Sequence, residues 1–200
     1  MSEPNKPSAK VDWENRWQAE DERLLAASAA LWPEWQAMKP SLRRLWVRTY
    51  LRGPTGDELI NWAAEALSEG LETPSLCILA GLSPKEDVRD ARDYLEKSLQ
   101  ELGWSAPPRE PTLVMHATDV AAALLADTIS VNAAITELYN VMSELNYTRL
   151  LSRWYVLDEA RFPESYNHMD EVALAAEAKH EATALIDRVR GAIGQDGSAA

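Results

Sequence analysis

Few residues of this chain have the type and spacing that catalysis or metal binding requires. Glu177 and His180 have the Glu-x-x-His spacing that directs two metal ligands to one face of a helix. A di-iron helical bundle needs two such motifs and two further inward glutamates, and the sequence has no second motif. His116 has no nucleophile beside it, which predicts a partly buried, hydrogen-bonded histidine rather than a catalytic base. The sequence therefore indicates no catalytic residue, no metal site and no cofactor.

The single cysteine, Cys77, lies between the apolar residues Leu76 and Ile78. No neighbouring cation favours a reactive thiolate, so we expect a small core residue. One cysteine also excludes an intramolecular disulfide framework and a zinc site built from several cysteines. Together with a polar N-terminus that lacks the apolar stretch of a secretory signal, this predicts a cytoplasmic protein.

Basic residues are concentrated between Lys39 and Gly56, where the sequence has no acidic residue. Arg44, Arg48 and Arg52 follow one another at four-residue spacings, which predicts one stripe on one helix. Guanidinium groups suit a phosphate or a carboxylate, so the stripe is a candidate partner-binding site. In so acidic a chain we expect the stripe to pair internally instead. The candidate internal partners are the acidic residues Glu14, Glu20, Asp21 and Glu22.

The chain is acidic, with 20 Lys and Arg against 32 Asp and Glu and a net charge of −12. This charge argues against a general binder of nucleic acid or of anionic membranes, because both surfaces repel it. An apolar content of 46% argues against wholesale disorder. The net charge is −4 over residues 1–100 and −8 over residues 101–200, and we predict an acidic face in the second half that binds a basic partner, with simple solubility as the alternative. The candidate residues of that face are Asp158, Glu159, Glu164, Asp170 and Glu171.

Tryptophan is abundant, with eight residues in 200. Trp32 and Trp35 have a same-face helical spacing and stand on either side of Pro33, where we expect a short turn. Core packing accounts for most tryptophans, but an exposed pair would anchor an interface well. Trp32 and Trp35 are the pair predicted to bind a partner.

The pattern of caps and apolar residues predicts an all-α fold of about eight or nine helices. Thr55-Gly56-Asp57-Glu58 and Ser83-Pro84-Lys85-Glu86 are capping boxes, in which the first side chain and the glutamate satisfy each other's backbone amides. Asp12, Ser41, Ser130 and Thr148 are further candidate caps, and Thr73 precedes a short apolar helix. The sequence has no sustained alternation of apolar and polar residues, the pattern that would indicate a strand.

Sequence patterning predicts one helical domain over residues 11–193, between disordered tails at 1–10 and 194–200. Three prolines in residues 104–112 indicate a linker there. The stretches on its two sides, 41–103 and 113–158, resemble each other at an offset of 74 to 75 residues. They are predicted to be two similar helical units packed together, with chance similarity as the alternative.

One phrase of the sequence is typical of a packed and capped helical module. It runs through Glu58-Leu59-Ile60-Asn61-Trp62-Ala63, Ala66-Leu67, Gly70, Pro74-Ser75-Leu76 and Leu79-Ala80-Gly81-Leu82. The phrase resembles a module of small bacterial helical proteins, most closely over 45–103 and loosely over 113–190. Some acidic helical proteins of this general look are immunity proteins, which neutralise a cognate toxin. The resemblance transfers no site residue, because the phrase concerns packing and capping.

Three functions remain open at this point. The favoured one is a bacterial protein-binding module, an immunity-type or inhibitor protein that neutralises a toxin or effector by direct binding. The second is an enzyme or small-ligand binder that uses an interhelical pocket. The third is a nucleic-acid mimic or regulator, against which the interspersed arginines argue.

Overall fold

The computed structural model describes residues 9–83 and 88–196, and within these ranges the protein is all-α. The helices of these ranges are α1 (Ala9–Ala37), α2 (Pro40–Leu51), α3 (Gly56–Ser68), α4 (Pro74–Ala80), α5 (Val88–Glu101), α6 (Arg109–Leu125), α7 (Val131–Glu144), a short 3-10 helix (Arg149–Leu151), α8 (Ser152–Ala160) and α9 (Glu171–Asp196). No described helix combines the length and the apolar character needed to cross a membrane.

The chain divides into two compact units. The continuous unit is Pro33–Thr112, and the split unit consists of Met1–Trp32 together with Leu113–Ala200. In the continuous unit, apolar side chains of α2 to α5 form one core that includes Leu45, Leu59 and Leu79. In the split unit, buried residues such as Leu138 of α7 and Trp154 of α8 form the interior.

Side-chain caps begin several helices where the sequence predicts them. Thr55 Oγ1 accepts a hydrogen bond from the Glu58 amide at 3.3 Å, and Glu58 Oε2 accepts one from the Thr55 amide at 2.9 Å, which confirms the first capping box. The predicted caps are also present at Ser130 and Thr148, and Thr73, which precedes the predicted short apolar helix, caps α4. Such caps are predictable because donor and acceptor lie within three residues of each other.

The predicted cap at Ser41 is wrong. α2 begins at Pro40, so Ser41 lies inside the first turn, and its hydroxyl donates to Glu69 Oε2 at 2.7 Å. The Ser41 amide donates to the other carboxylate oxygen of Glu69 at 3.2 Å. Ser75 of α4 makes the same two-point contact with Glu101, through its hydroxyl at 2.7 Å and its amide at 3.1 Å. Each carboxylate at the end of one helix therefore satisfies two donors in the first turn of another.

Two other predicted boundaries are wrong, both at prolines. α1 continues through Pro33 to Ala37, and the expected turn is absent because Leu31 and Trp35 are buried on either side of the proline. Burial of these two side chains offsets the lost helical hydrogen bond. α6 begins at Arg109, so the predicted linker 104–112 is too long. Pro111 is tolerated there because the first turn of a helix has no intrahelical partner for its amides.

The ends of the helical region also differ from prediction. α1 begins at Ala9, so Asp12 lies inside the helix rather than at its cap, and the predicted tail 1–10 overlaps α1. α9 extends to Asp196, into the predicted tail 194–200, because no proline stops it and a glycine costs only about 1 kcal/mol in a helix. Residues 1–8 and 197–200 lie outside the described part, as do residues 84–87 of the second predicted capping box.

The cap positions agree with the predicted repeat. Thr55 and Ser130 cap α3 and α7, and Thr73 and Thr148 cap α4 and the 3-10 helix, with 75 residues between the members of each pair. The split unit resumes at Leu113, where the second repeat unit is predicted to begin. Matching caps favour a duplication, which stays a prediction, as does the single domain over 11–193.

Candidate functional site

Exposed aromatic side chains, with carboxylates between them in the sequence, lie on α8 and on the segment that follows it. Tyr155 and Glu159 are four residues apart on α8, which puts them on one helical face, and Phe162 follows two residues after the end of this helix. Tyr155 is 41% exposed and Phe162 is 45% exposed, whereas Trp154 on the other face is buried. Tyr166, four residues further on, is fully exposed. We call Tyr155, Glu159, Phe162, Glu164 and Tyr166 the α8 surface.

The segment between α8 and α9 is held by hydrogen bonds of its own backbone. Ser165 N donates to Phe162 O at 3.0 Å, His168 N donates to Ser165 O at 3.1 Å, and Met169 N donates to Ala160 O at 2.9 Å. These bonds form a chain of turns that ends on the last residue of α8. The exposed rings of Phe162 and Tyr166 are therefore carried on an ordered segment rather than on a free loop.

Arg161 fastens the start of this segment to α7. Its Nη1 donates to Thr136 Oγ1 at 2.7 Å, and its Nη2 pairs with Asp158. Its guanidinium also lies over the ring of Phe162, 5.3 Å from the centroid. The Phe162 ring is thus exposed on one side and supported by a bound cation on the other.

The five predicted acidic residues separate into two groups. Asp158 pairs with Arg161, Glu159 Oε1 accepts a 2.6 Å hydrogen bond from the Tyr155 hydroxyl, and Asp170 Oδ1 accepts one from the Ala173 amide at the start of α9. Glu164 and Glu171 are exposed. The bond to Glu159 also raises the pKa of Tyr155, because the carboxylate favours the protonated phenol.

The predicted tryptophan anchor is wrong for Trp35, which is completely buried, with the guanidinium of Arg43 5.5 Å from its ring centroid. Trp32 is half-buried. The exposed tryptophans are Trp13 and Trp17, whose rings meet edge to face at 4.7 Å. Spacing alone cannot distinguish these two pairs, because both have helical spacing and only tertiary packing covers one of them.

Sequence reasoning missed Phe162 and Tyr166. The available signal was the stretch Phe162-Pro163-Glu164-Ser165-Tyr166, in which two aromatic residues stand in a proline-containing polar segment between helices. A loop that carries large aromatic side chains often serves recognition.

The arginine stripe pairs inside the protein, as expected, but with different partners. Arg44 pairs with Glu65, and Arg48 and Arg52 both pair with Glu58. The predicted partners in α1 are wrong, because α3 packs against α2 and supplies its own glutamates. The bonds from Thr55, together with Arg48, lower the pKa of Glu58, so that its carboxylate belongs to both the cap and the ion pair.

A cavity of about 420 Å³ lies between α2 and α3 beside these ion pairs. Its apolar lining comes from Leu45, Pro54 and Trp62. Its polar lining comes from the two ion pairs Arg44–Glu65 and Arg48–Glu58 and from the amide of Asn61. Trp62 is only 5% exposed, and its Nε1 has no hydrogen-bond partner in the described part of the chain.

The remaining reactive residues have ordinary surroundings. His116 Nε2 is 2.8 Å from Glu137 Oε1, which confirms a partly buried, hydrogen-bonded histidine. The expected core position of Cys77 is wrong, because Leu76 and Leu79 turn the other face of α4 inward and leave Cys77 exposed. Within residues 9–83 and 88–196, no group of three or more metal-ligating side chains comes together, and Glu177 pairs with Arg153.

No protein-family model, curated protein or solved structure matches this chain. The resemblance to small bacterial helical proteins and to immunity proteins therefore stays a prediction. The α8 surface and the cavity between α2 and α3 are supported by their own geometry.

Proposed function

We propose that this chain is a protein-binding module that covers a basic surface of another protein, in the manner of an inhibitor or immunity protein. The observation that carries the proposal is the α8 surface, on which three exposed aromatic rings alternate with carboxylates. Exposed apolar surface rimmed by polar residues is typical of protein interaction sites. The proposal includes a bacterial cytoplasmic setting, which accords with a lone cysteine.

Each part of the α8 surface has a separate task in this proposal. Tyr and Phe rings bury a large area when a partner covers them, and they are enriched at the centres of interfaces. The hydrogen-bonded turns after Phe162 order the segment in advance, which reduces the entropy lost on binding. Glu164 of this surface and Glu171 at the start of α9 are exposed and add negative charge, which speeds the encounter with a basic partner and selects against acidic ones.

The test compares three immobilised proteins in a lysate of the source organism: the wild type, the double variant Phe162→Ala/Tyr166→Ala and the control Trp13→Ala/Trp17→Ala. The control removes two exposed aromatic rings of α1. We expect one basic protein to bind the wild type and the control at a near-equal molar ratio and to be lost from the α8 variant. Titration calorimetry with the purified partner should show at least about a tenfold loss of affinity for that variant.

The inhibitory role is tested separately with the captured protein. Its own activity should fall when the wild-type chain is added at a near-equal molar ratio, and the α8 variant should fail to inhibit at the same concentration. Equal capture by all three immobilised proteins would contradict the proposed surface. Capture without any change in the partner's activity would retain the binding module and reject the inhibitor.

A further inference from the structure

Three tyrosine side chains come together on the split unit, and one of them belongs to the α8 surface. Tyr139 of α7 and Tyr155 of α8 have ring centroids 6.3 Å apart, with an angle of 33° between the ring planes. The hydrogen bond to Glu159 is the main cause of the raised pKa of Tyr155, and Tyr139 and Tyr147 lie close enough to add to this rise. We call Tyr139, Tyr147 and Tyr155 the tyrosine cluster.

Tyr147 stands on a strained backbone between α7 and the 3-10 helix. Its φ of 59° lies in the left-handed region, which bulky residues rarely adopt, and such strain is concentrated at functional sites. The amide of Tyr147 donates to Met142 O at 2.9 Å, and the next residue, Thr148, caps the 3-10 helix. The backbone is therefore fixed on both sides of Tyr147, which is nevertheless 61% exposed.

The rings of the tyrosine cluster are not covered by a cation of the protein itself. Arg161 lies over the ring of Phe162, but within residues 9–83 and 88–196 no lysine or arginine lies over a ring of the cluster. Glu159 Oε1 accepts the 2.6 Å hydrogen bond from the Tyr155 hydroxyl. This bond polarises the phenol toward its ring, and the carboxylate adds its own negative charge. The cluster therefore attracts a positive charge that the described chain does not supply.

We propose that the tyrosine cluster and Glu159 bind the cationic side chain of a lysine or arginine on the partner. The source of this cation rests on the proposed function, which gives the chain a basic protein partner. Aromatic faces attract ammonium and guanidinium groups within about 6 Å of the ring centroid, and a carboxylate pairs with the same charge. Tyr147 and Tyr155 are open to the surroundings, which suits a side chain that protrudes from another protein.

The probe is tetramethylammonium, and its binding to the full chain is followed by NMR of ¹³C-labelled tyrosine rings. Tetramethylammonium chloride replaces sodium chloride at constant ionic strength, so that screening does not change. We expect saturable shifts of the ring signals of the tyrosine cluster, and none with tert-butanol, a neutral molecule of similar shape. Tyr147→Leu should weaken binding by about two- to fivefold, the size of one exposed cation–π contact. Tyr147→Phe keeps the ring and should lose less.

Tyr166→Leu is the matched control, because Tyr166 is a fully exposed tyrosine outside the tyrosine cluster. Its affinity for tetramethylammonium should equal that of the wild type, and circular dichroism verifies that every variant is folded. Absence of saturable shifts in the cluster would overturn the inference. Equal shifts with tert-butanol, or full affinity in folded Tyr147→Leu, would also overturn it.

The captured partner separates this inference from the proposed function. A basic partner should bind Tyr147→Leu more weakly than Tyr147→Phe, because only the second variant keeps an aromatic face. Saturable tetramethylammonium binding without any captured protein would reject the proposed function and retain the cluster as a cation site. Capture with equal affinity for the two Tyr147 variants would retain the proposed function and overturn the inference.

Discussion

The carboxylate of Asp21 accepts a 3.0 Å hydrogen bond from the hydroxyl of Thr148, although 127 positions separate the two residues. The same oxygen accepts a 3.1 Å bond from the Leu150 amide, in the first turn of the 3-10 helix. Thr148 is the predicted local cap of this helix, and its own hydroxyl is a 3.4 Å acceptor for Leu150. The start of the 3-10 helix is thus capped by α1 as well as by its own residue.

Asp21→Ala should lower the free energy of unfolding by about 1–3 kcal/mol, because a nearly buried hydroxyl and a backbone amide lose their acceptor. Urea denaturation measures the change. Asp21→Asn keeps an acceptor oxygen and should lose less. Glu22→Ala is the control, since Glu22 is exposed and accepts a hydrogen bond from neighbouring Gln18 on the same helix, and an equal loss there would refute the role of Asp21.

Ser41→Ala should destabilise the protein by about 1.5–3 kcal/mol, because the buried hydroxyl donates to a charged carboxylate. Chemical unfolding followed by circular dichroism measures this loss. In a double-mutant cycle with Glu69→Ala, the two changes should be strongly non-additive. Ser68→Ala removes an exposed hydroxyl that bonds its own helix, and it should change stability by less than about 0.5 kcal/mol.

Glu101 should contribute pH-dependent stability. The Ser75 hydroxyl, followed by the Thr73 hydroxyl and the Ser75 amide, lowers the pKa of Glu101 below its usual 4.5. A lowered pKa in the folded state means that this stabilisation is complete above the unfolded value and is lost as the pH falls through the folded value. Carboxyl NMR titration of Ser75→Ala should return the pKa of Glu101 toward 4.5. An unchanged pKa would show that the hydroxyl bond does not matter.

Trp35→Ala should destabilise the protein by about 3–5 kcal/mol, because the ring is completely buried. Trp17→Ala should change stability by less than about 1 kcal/mol, since more than half of that side chain is exposed. Thermal and urea unfolding of both variants test the contrast. Similar losses in the two variants would mean that Trp17 packs more tightly than its exposure indicates.

Local signals made much of the fold predictable. The predicted caps at Thr55, Ser130 and Thr148 depend on partners within three residues, and each is present. The sequence also indicates that the arginine stripe pairs internally. It could not indicate which glutamates take part, because Glu58 and Glu65 reach Arg48 and Arg44 only once α3 packs against α2.

Exposure was the least predictable property. The residues that flank Trp35 and Trp17 in the sequence do not distinguish the two side chains, yet Trp35 is buried and Trp17 is exposed. Cys77 stands between two apolar residues and still faces outward, because a seven-residue helix buries only one of its faces. The candidate sites depend on such tertiary choices. The sequence indicated Arg44 and Arg48 as candidate binding residues, but not the rings of the α8 surface or the place of Trp62 in the cavity beside these arginines.

The order of the two units along the chain has a consequence for synthesis. The continuous unit is complete once Thr112 has been made, whereas the first segment of the split unit needs partners made after Leu113. At about 5–20 residues per second, a ribosome needs about 6–25 s to add the 127 positions between Asp21 and Thr148. During that interval the second segment of the split unit has not yet been made, so it cannot bury the apolar side of α1, including Leu24. A chaperone that meets the nascent chain should therefore bind this helix first.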